Sequence, residues 1–397
     1  MKDLVSTYSR NKNLFYIVRA TFLPFFWLPI LYIYLTQYKG LDVASTMFLL
    51  GLQEFALIFL EVPTGVIADK ISRRFSIALG YIVTALPFVF LPFVHNYYLL
   101  TILFVIKAVG KALTSGADNS LLYDTLLDYK KENEYKVIQS KANSLMLGVS
   151  AFCILIGGFI AEHAHIEYTL WLPLPFMTLG AVSALLMNEP ETSKTGKLLQ
   201  EENYIKHTWQ ALKYIFSKKY LITGLLMFSL ARGLAVNLKW FYTPIFDYFE
   251  ISLAQIGGFT FGLYILKSIS AYISSKLFHK NNNVTVTIIN VLLMTAFLVG
   301  GIFLQKFLLF SLLLVILFCS EMLLSVTEEY LHTELTSKDR ATSMSIISLF
   351  SSIMATIMIG GWGIAQSNYG LGYALIFIGI LFGIGVTIFV TSSKKSA

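Results

Sequence analysis

The chain has 397 residues, 56% of them hydrophobic and only 13% charged, with a mean hydropathy of +0.68. A soluble domain keeps roughly a quarter of its residues charged, so an ordinary globular surface is excluded. The net charge of +7 falls in short loops between apolar runs, where it reads as a membrane topology signal rather than as a nucleic-acid-binding surface.

A run of about 18–25 apolar residues crosses a roughly 30 Å hydrocarbon core as a helix. Helices are the expected form because irregular backbone in lipid leaves its polar groups unsatisfied. Twelve spans are expected, at residues 14–36, 45–67, 75–94, 98–122, 142–162, 166–187, 220–244, 253–275, 284–304, 307–331, 341–365 and 371–392. The polar stretch Met1–Asn13 precedes a full-length run with no small-residue cleavage site after it, which reads as a retained first span.

In chain order, span 1 carries Arg19 and the aromatics Phe25, Phe26 and Trp27. Span 2 carries Glu54 and Glu61, two helical turns apart and so on one face. The loop after it reads Gly65-Val-Ile-Ala-Asp69-Lys70-Ile-Ser-Arg73-Arg74. Span 4 carries Lys107, Lys111 and Asp118 in a single stripe, with Asp124 at its end, and span 5 contains Ile156-Gly157-Gly158. Residues 188–219 form the long polar stretch of the chain. Within it Tyr204, Ile205, Trp209, Leu212 and Phe216 recur near helical spacing among lysines, as in an amphipathic helix lying on a membrane face and tethering two halves. Span 7 carries Arg232, Lys239, Trp240, Phe241 and Tyr242, and span 8 carries Lys267. Span 10 carries Glu321 and Glu328, again seven apart, followed by Glu329 and His332.

Basic residues orient the chain. With the N-terminus in the cytoplasm, cytoplasmic segments hold 22 of the 30 Lys and Arg, and the opposite side holds Lys39 and Lys306. A cell-membrane protein with both termini cytoplasmic is expected. Cys153 and Cys319 lie in separate apolar runs, and no Cys/His cluster has metal-ligand spacing. No metal or cofactor is expected. The Gly-x-x-x-x-Gly-Lys-Ser/Thr and Gly-x-Ser-x-Gly patterns are absent, which argues against ATP hydrolysis and against an enzyme.

The halves repeat. Asp118–Leu126 at the end of span 4 is matched by Thr327–Leu335 at the end of span 10, and Ile156-Gly157-Gly158 by Ile359-Gly360-Gly361. Six-span repeats are an architecture of secondary transporters, with substrate bound near the midplane. The expected divisions are residues 1–187, a linker at 188–219, and 220–397.

The loop at Gly65–Arg74 resembles the signature loop of the major facilitator superfamily, Gly-x-x-x-Asp-Arg/Lys-x-Gly-Arg/Lys-Arg/Lys, with Ser72 where the pattern has Gly. The resemblance implies an all-α membrane protein of twelve transmembrane helices, in two six-helix bundles related by a pseudo-two-fold, working by alternating access. It also implies a gating cluster of Gly65, Asp69, Lys70, Arg73, Arg74 and Asp124 that latches the halves on the cytoplasmic side. The equivalent loop of the second half, Ser275–Asn283, is degenerate. In span 5, Cys153-Ile154 stands where drug–proton antiporters have Gly-Pro, and Lys107 lies near their span-4 arginine.

Ionisable groups at membrane depth are functional candidates. Glu54 and Glu321, with Glu61 and Glu328 behind them, are candidates for proton coupling: an apolar cavity raises a carboxyl pKa and a nearby lysine lowers it. Arg19, Trp27, Lys107, Lys111, Asp118, Arg232, Lys239, Trp240 and Lys267 are candidates to line a substrate cavity. Static ion pairs between spans are the alternative, supported by six acidic residues against six basic. The expected function is proton-coupled export of amphipathic small molecules by a monomer in a lipid bilayer, an antiporter driven by the proton gradient. Uptake or flipping of an anionic, zwitterionic or lipid-like substrate stays open, because four basic residues face two acidic ones at mid-depth. A transport-inactive membrane sensor is the remaining alternative.

Overall fold

A computed structural model describes residues 2–70, 72–191, 212–277, 283–334 and 340–393. Tyr204, Ile205 and Trp209 of the expected amphipathic helix lie outside the described residues, as do the side chains of Glu61, Asp69, Lys70 and His332.

Among the described residues thirteen longer helices carry the fold: α1 Lys2–Ala20, α2 Val43–Lys70, α3 Arg73–Phe90, α4 Tyr97–Thr114, α5 Ala117–Asp128, α6 Tyr135–His163, α7 Pro173–Leu186, α8 Lys219–Tyr248, α9 Leu253–Leu277, α10 Asn283–Ile302, α11 Lys306–Glu334, α12 Arg340–Tyr369 and α13 Leu371–Ser393. The described residues contain no strand. Among the described residues ten helical stretches are long and apolar enough to cross a membrane. They cover ten of the expected spans, α9 covers the expected span 8, and span 1 is broken.

Span 1 was expected to run unbroken from 14 to 36, but α1 stops at Ala20 and regular helix resumes only at Leu31–Ile33, followed by a π-turn at Tyr34–Tyr38. Pro24 and Pro29 lie in the interruption, and proline removes a helix hydrogen bond and clashes with the preceding turn. Irregular backbone at this depth has to be buried in protein, and α6 supplies the cover. Ser150 Oγ donates to the Leu23 carbonyl at 2.6 Å. Phe26 lies so close to Gly157 that an added Cβ would come 2.6 Å from its carbonyl carbon. Span 4, expected as one helix over 98–122, is also divided. Gly116, at φ +80°, separates α4 from α5, a left-handed conformation that glycine adopts without the usual penalty. Asp118 therefore sits in the first turn of a new helix, where the backbone dipole favours negative charge.

Cα packing divides the chain into two units, Met1–Leu31, Leu52–Glu201 and Ser252–Phe261 in the first, and Tyr32–Gly51, Glu202–Ile251 and Gly262–Ala397 in the second. The division departs from contiguous halves at residues 32–51 and 252–261. In the first unit α3 packs on α4 and α7, and α1 packs on α6 and α7. In the second, α8 packs on α11, α12 and α13, and α10 packs on α11 and α13. Trp362 and Phe241 are fully buried there, their rings stacked 4.4 Å apart.

Candidate functional site

Three ion pairs join charges at membrane depth. In the first unit Lys111 Nζ of α4 donates to Glu54 Oε1 of α2 at 2.8 Å. Arg19 at the end of α1 bonds to Asp118 Oδ2 at 2.7 Å and to Asn143 Oδ1 of α6. In the second unit Lys267 Nζ of α9 lies 2.8 Å from Glu321 Oε1 of α11. Burial is uneven within two of these pairs. The Glu54 and Glu321 side chains are 14% and 9% exposed, while Lys111 and Lys267 are 33% and 41% exposed. The carboxylate is the anchored member and the ammonium the one with room to leave.

The remaining candidates divide. Lys107 is buried, its ammonium 3.8 Å from the centre of the Trp27 ring and within 6 Å of Phe88 and Phe104. Stacking of a cation over an aromatic face is favourable, the more so when desolvated. Trp27 belongs to the interrupted stretch of span 1, so the break brings an indole to the span-4 stripe. Lys239 lies 5.2 Å from the ring centre of its buried neighbour Trp240. Arg232, Glu328 and Glu329 are exposed, and among the described residues none of the three has an ion pair.

The loop between α2 and α3 holds a second cluster. Arg73 pairs with Asp124 of α5. Ser72 caps α3, accepting from Phe75 N at 3.3 Å. Its backbone, at φ −175°, is ordinary extended chain, so the usual glycine is not needed for the turn. Ser72 Oγ and Arg73 N both donate to Glu189, at 2.7 and 2.8 Å, and Arg74 Nη1 donates to the Met187 carbonyl at 3.1 Å. Glu189 and Asn143 are the two participants that the sequence does not single out. A neutral Asn in an apolar span and an acid inside a polar linker carry no spacing signal.

Among the described residues no group of His, Cys, Asp and Glu is placed to hold a metal ion. Cys153 and Cys319 are both free and buried. The arrangement is suited to moving charge by exchange of partners: protonating Glu54 or Glu321 removes the counter-ion of a lysine that has room to move.

The family profile of the Major Facilitator Superfamily matches residues 14–358. The chain is 25% identical over 311 residues to the quinolone resistance protein NorA of Staphylococcus aureus strain MRSA252, covering 72% of this chain and 74% of the relative. The match to NorA of strain MSSA476 is 26% over 269 residues and 64% of each chain, under two thirds of that relative's length. An uncharacterised MFS-type transporter of Bacillus subtilis strain 168, YxaM, is 24% identical over 247 residues, 58% of this chain and 59% of the relative. Among solved structures, a mutant of the nucleoside transporter NupG superposes with a TM-score of 0.81 at 13% identity, over 97% of this chain and 99% of the other. A D-xylose–proton symporter gives 0.70 at 12% identity, over 96% and 95%. The chain belongs to the Major Facilitator Superfamily, and is a transporter rather than an enzyme.

Proposed function

We propose that the chain is a proton-coupled secondary transporter of the cell membrane, with both termini cytoplasmic, that exports amphipathic small molecules by alternating access. It works as a monomer, powered by the proton gradient. The observation that carries this reading is the anchored carboxylate with a more exposed lysine partner, found once in each unit as Glu54–Lys111 and Lys267–Glu321. Proton and substrate can compete there. A substrate amine that replaces the proton on Glu54 or Glu321 binds only after the proton has left, and mutually exclusive occupancy is what exchange transport requires. Alternating exposure of the carboxylate to the two sides then trades one proton for one substrate. The Arg73–Asp124 pair, with Glu189 fastening the start of α3, lies wholly within the first unit and in this cycle keeps the cytoplasmic end of that unit together. Similarity to quinolone resistance proteins supports export over uptake.

The test is flux in inside-out membrane vesicles with and without an imposed pH gradient, using norfloxacin and ethidium as probes. Glu54→Gln is expected to lower gradient-driven uptake into such vesicles at least about tenfold, the loss of a transition-limiting interaction worth about 1.4 kcal/mol or more. Unchanged gradient-driven flux in Glu54→Gln removes Glu54 from the mechanism, and gradient-independent flux in the wild type removes proton coupling altogether.

A further inference from the structure

The two halves can be placed in register residue by residue. At a step of 213, Phe15 matches Phe228, Arg19 matches Arg232, Trp27 matches Trp240 and Glu54 matches Lys267. On the fourth span of each half the repeat of Asp118–Leu126 and Thr327–Leu335 has a step of 209, which places Glu321 one residue from the counterpart of Lys111 and Glu328 one residue from that of Asp118. The pairs Glu54–Lys111 and Lys267–Glu321 therefore join corresponding spans, within one residue of matching positions, with their signs exchanged.

The other pair has no such counterpart. Arg19 is only 13% exposed and is held by Asp118 and Asn143. Its equivalent Arg232 is exposed, Glu328 is exposed, and no ion pair joins them. The step of 203 that matches Ile156-Gly157-Gly158 with Ile359-Gly360-Gly361 places Ile346 at the position of Asn143, and Ile346 is buried. One arginine is locked by two acceptors, while its equivalent has neither.

Arg232 stands 13 residues into α8, about 20 Å from the start of the helix at 1.5 Å per residue, close to the middle of the candidate span Tyr220–Tyr248. Most of α8 is buried against α11, α12 and α13. Its mid-span accessible positions are Arg232, Ala235, Val236 and Lys239, the spacing of one helix face. A guanidinium stays charged at any working pH, and a lasting charge at mid-span is costly unless a counter-ion completes it. The guanidinium fork is shaped for two parallel bonds to a carboxylate or phosphate.

We propose that Arg232 is an anion-binding residue for the substrate. It takes the carboxylate or phosphate of an amphiphile whose apolar body lies along Ala235 and Val236 toward Lys239, about 10 Å away along the helix. Calling this ligand the substrate rests on the transport reading above; the anion site itself does not. Together with an amine at Glu321 of the same unit, the site selects a zwitterionic amphiphile over a purely cationic one.

The experiment is equilibrium binding to the full-length protein in detergent, where no gradient exists. The probes are an NBD-labelled dodecanoate, an amphipathic carboxylate, and ethidium, an amphipathic cation. Arg232→Gln is expected to weaken dodecanoate binding about tenfold and to leave ethidium within about twofold. Arg232→Lys keeps the charge but loses the fork, and is expected to fall about threefold for dodecanoate alone. No dodecanoate binding by the wild type, or equal binding by wild type and Arg232→Gln, overturns the proposal. So does equal loss of both probes from a variant that elutes and melts like the wild type. If Arg232→Gln does not fold, Arg232→Lys decides: selective weakening of dodecanoate upholds the site and no difference overturns it. Competition by dodecyl phosphate identifies a free amphiphile as the source of the anion, and competition by phosphatidylglycerol but not phosphatidylcholine identifies a lipid headgroup. Absence of gradient-driven flux with selective dodecanoate binding intact defeats the proton-coupling reading and leaves Arg232 standing. Intact flux with binding indifferent to Arg232 defeats the anion site alone.

Discussion

Replacing Asp118 with Asn keeps the size of the side chain and removes the charge opposite Arg19. At 2.7 Å and an effective dielectric of about 20, the attraction is about 6 kcal/mol, and desolvation of the two groups offsets part of it. Breaking a buried pair by removing one partner costs about 3–5 kcal/mol, because the other charge is left uncompensated. Asn143 still accepts one bond from Arg19, which places the loss near the lower end, about 3 kcal/mol. The guanidinium has no reserve, since its Nε is already buried without a hydrogen-bond partner. The assay is thermal unfolding in detergent, read by a thiol-reactive fluorophore that reports exposure of Cys153 and Cys319, both buried when folded. For a chain of this length about 3 kcal/mol lowers the midpoint by about 4 °C. Arg19→Gln is expected to fall by as much, and the double variant to recover most of the loss, as neighbouring sites that share one interaction do. Arg232→Gln, which breaks no ion pair, is expected to melt within about 1 °C of the wild type. A shift under about 1 °C for Asp118→Asn, or a double variant that falls by the sum of the singles, refutes the reasoning.

Two further outcomes test the fold. Gly157→Ala is expected to lower stability by about 3 kcal/mol, because its Cβ meets the backbone of Phe26, at 2.6 Å from the carbonyl carbon, and backbone cannot rotate away. Gly148→Ala on the same helix, with open space around it, is expected to be neutral or stabilising by up to about 1 kcal/mol; equal effects in the same melting assay would show that the interrupted stretch does not rest on α6. Asp42 lies just before α2, and hydrogen bonds from the Ser45 hydroxyl and backbone hold its carboxyl below the usual range. A lowered folded-state pKa adds stability that is full above the unfolded value, near pH 4, and is lost as pH falls through the folded value. Asp42→Ala is therefore expected to cost about 0.5 kcal/mol at pH 7, with the gap to the wild type narrowing toward pH 3. A gap that holds constant between those pH values assigns the loss to something other than the charged cap.

The apolar runs were legible because lipid imposes a length, and ten of them reappear as helices of spanning length. The interruptions leave no mark on hydropathy, although their residues are plain in the chain. Pro24, Pro29 and Gly116 are ordinary helix breakers, but a hydropathy window averages over them, and what covers the break in span 1 is a Gly and a Ser more than 120 residues away on α6. Stripe spacing showed that the charges were one-sided without showing which stripes would meet. Glu54 and Lys111 become partners only because the fold brings these two side chains of α2 and α4 within 2.8 Å, a tertiary fact that no local pattern holds. Ser72 illustrates the converse. Its departure from the family pattern suggested a different turn, yet its backbone is extended, and its hydroxyl does work that glycine cannot do, capping α3 and binding Glu189.

The sharper information lies in comparing the halves after folding. Sequence repeat alone makes Arg19 and Arg232 equivalent, and an equal role for both would follow. Burial breaks that equivalence. The first half has an acid and an amide around its arginine, and the second has an exposed Glu328 within one residue of the acid's place and a buried Ile346 in the amide's. A guanidinium locked by two acceptors holds helices together and is not available to a ligand. One left on the accessible strip of an otherwise buried helix makes no ion pair within the described residues, and on the reading proposed above an anion supplies that partner. The exchanged signs of Glu54–Lys111 and Lys267–Glu321 keep each of those sites neutral at rest. What distinguishes the two halves is therefore one arginine, closed in the first and open in the second, and the preference for an anionic group on the substrate is assigned to the open one.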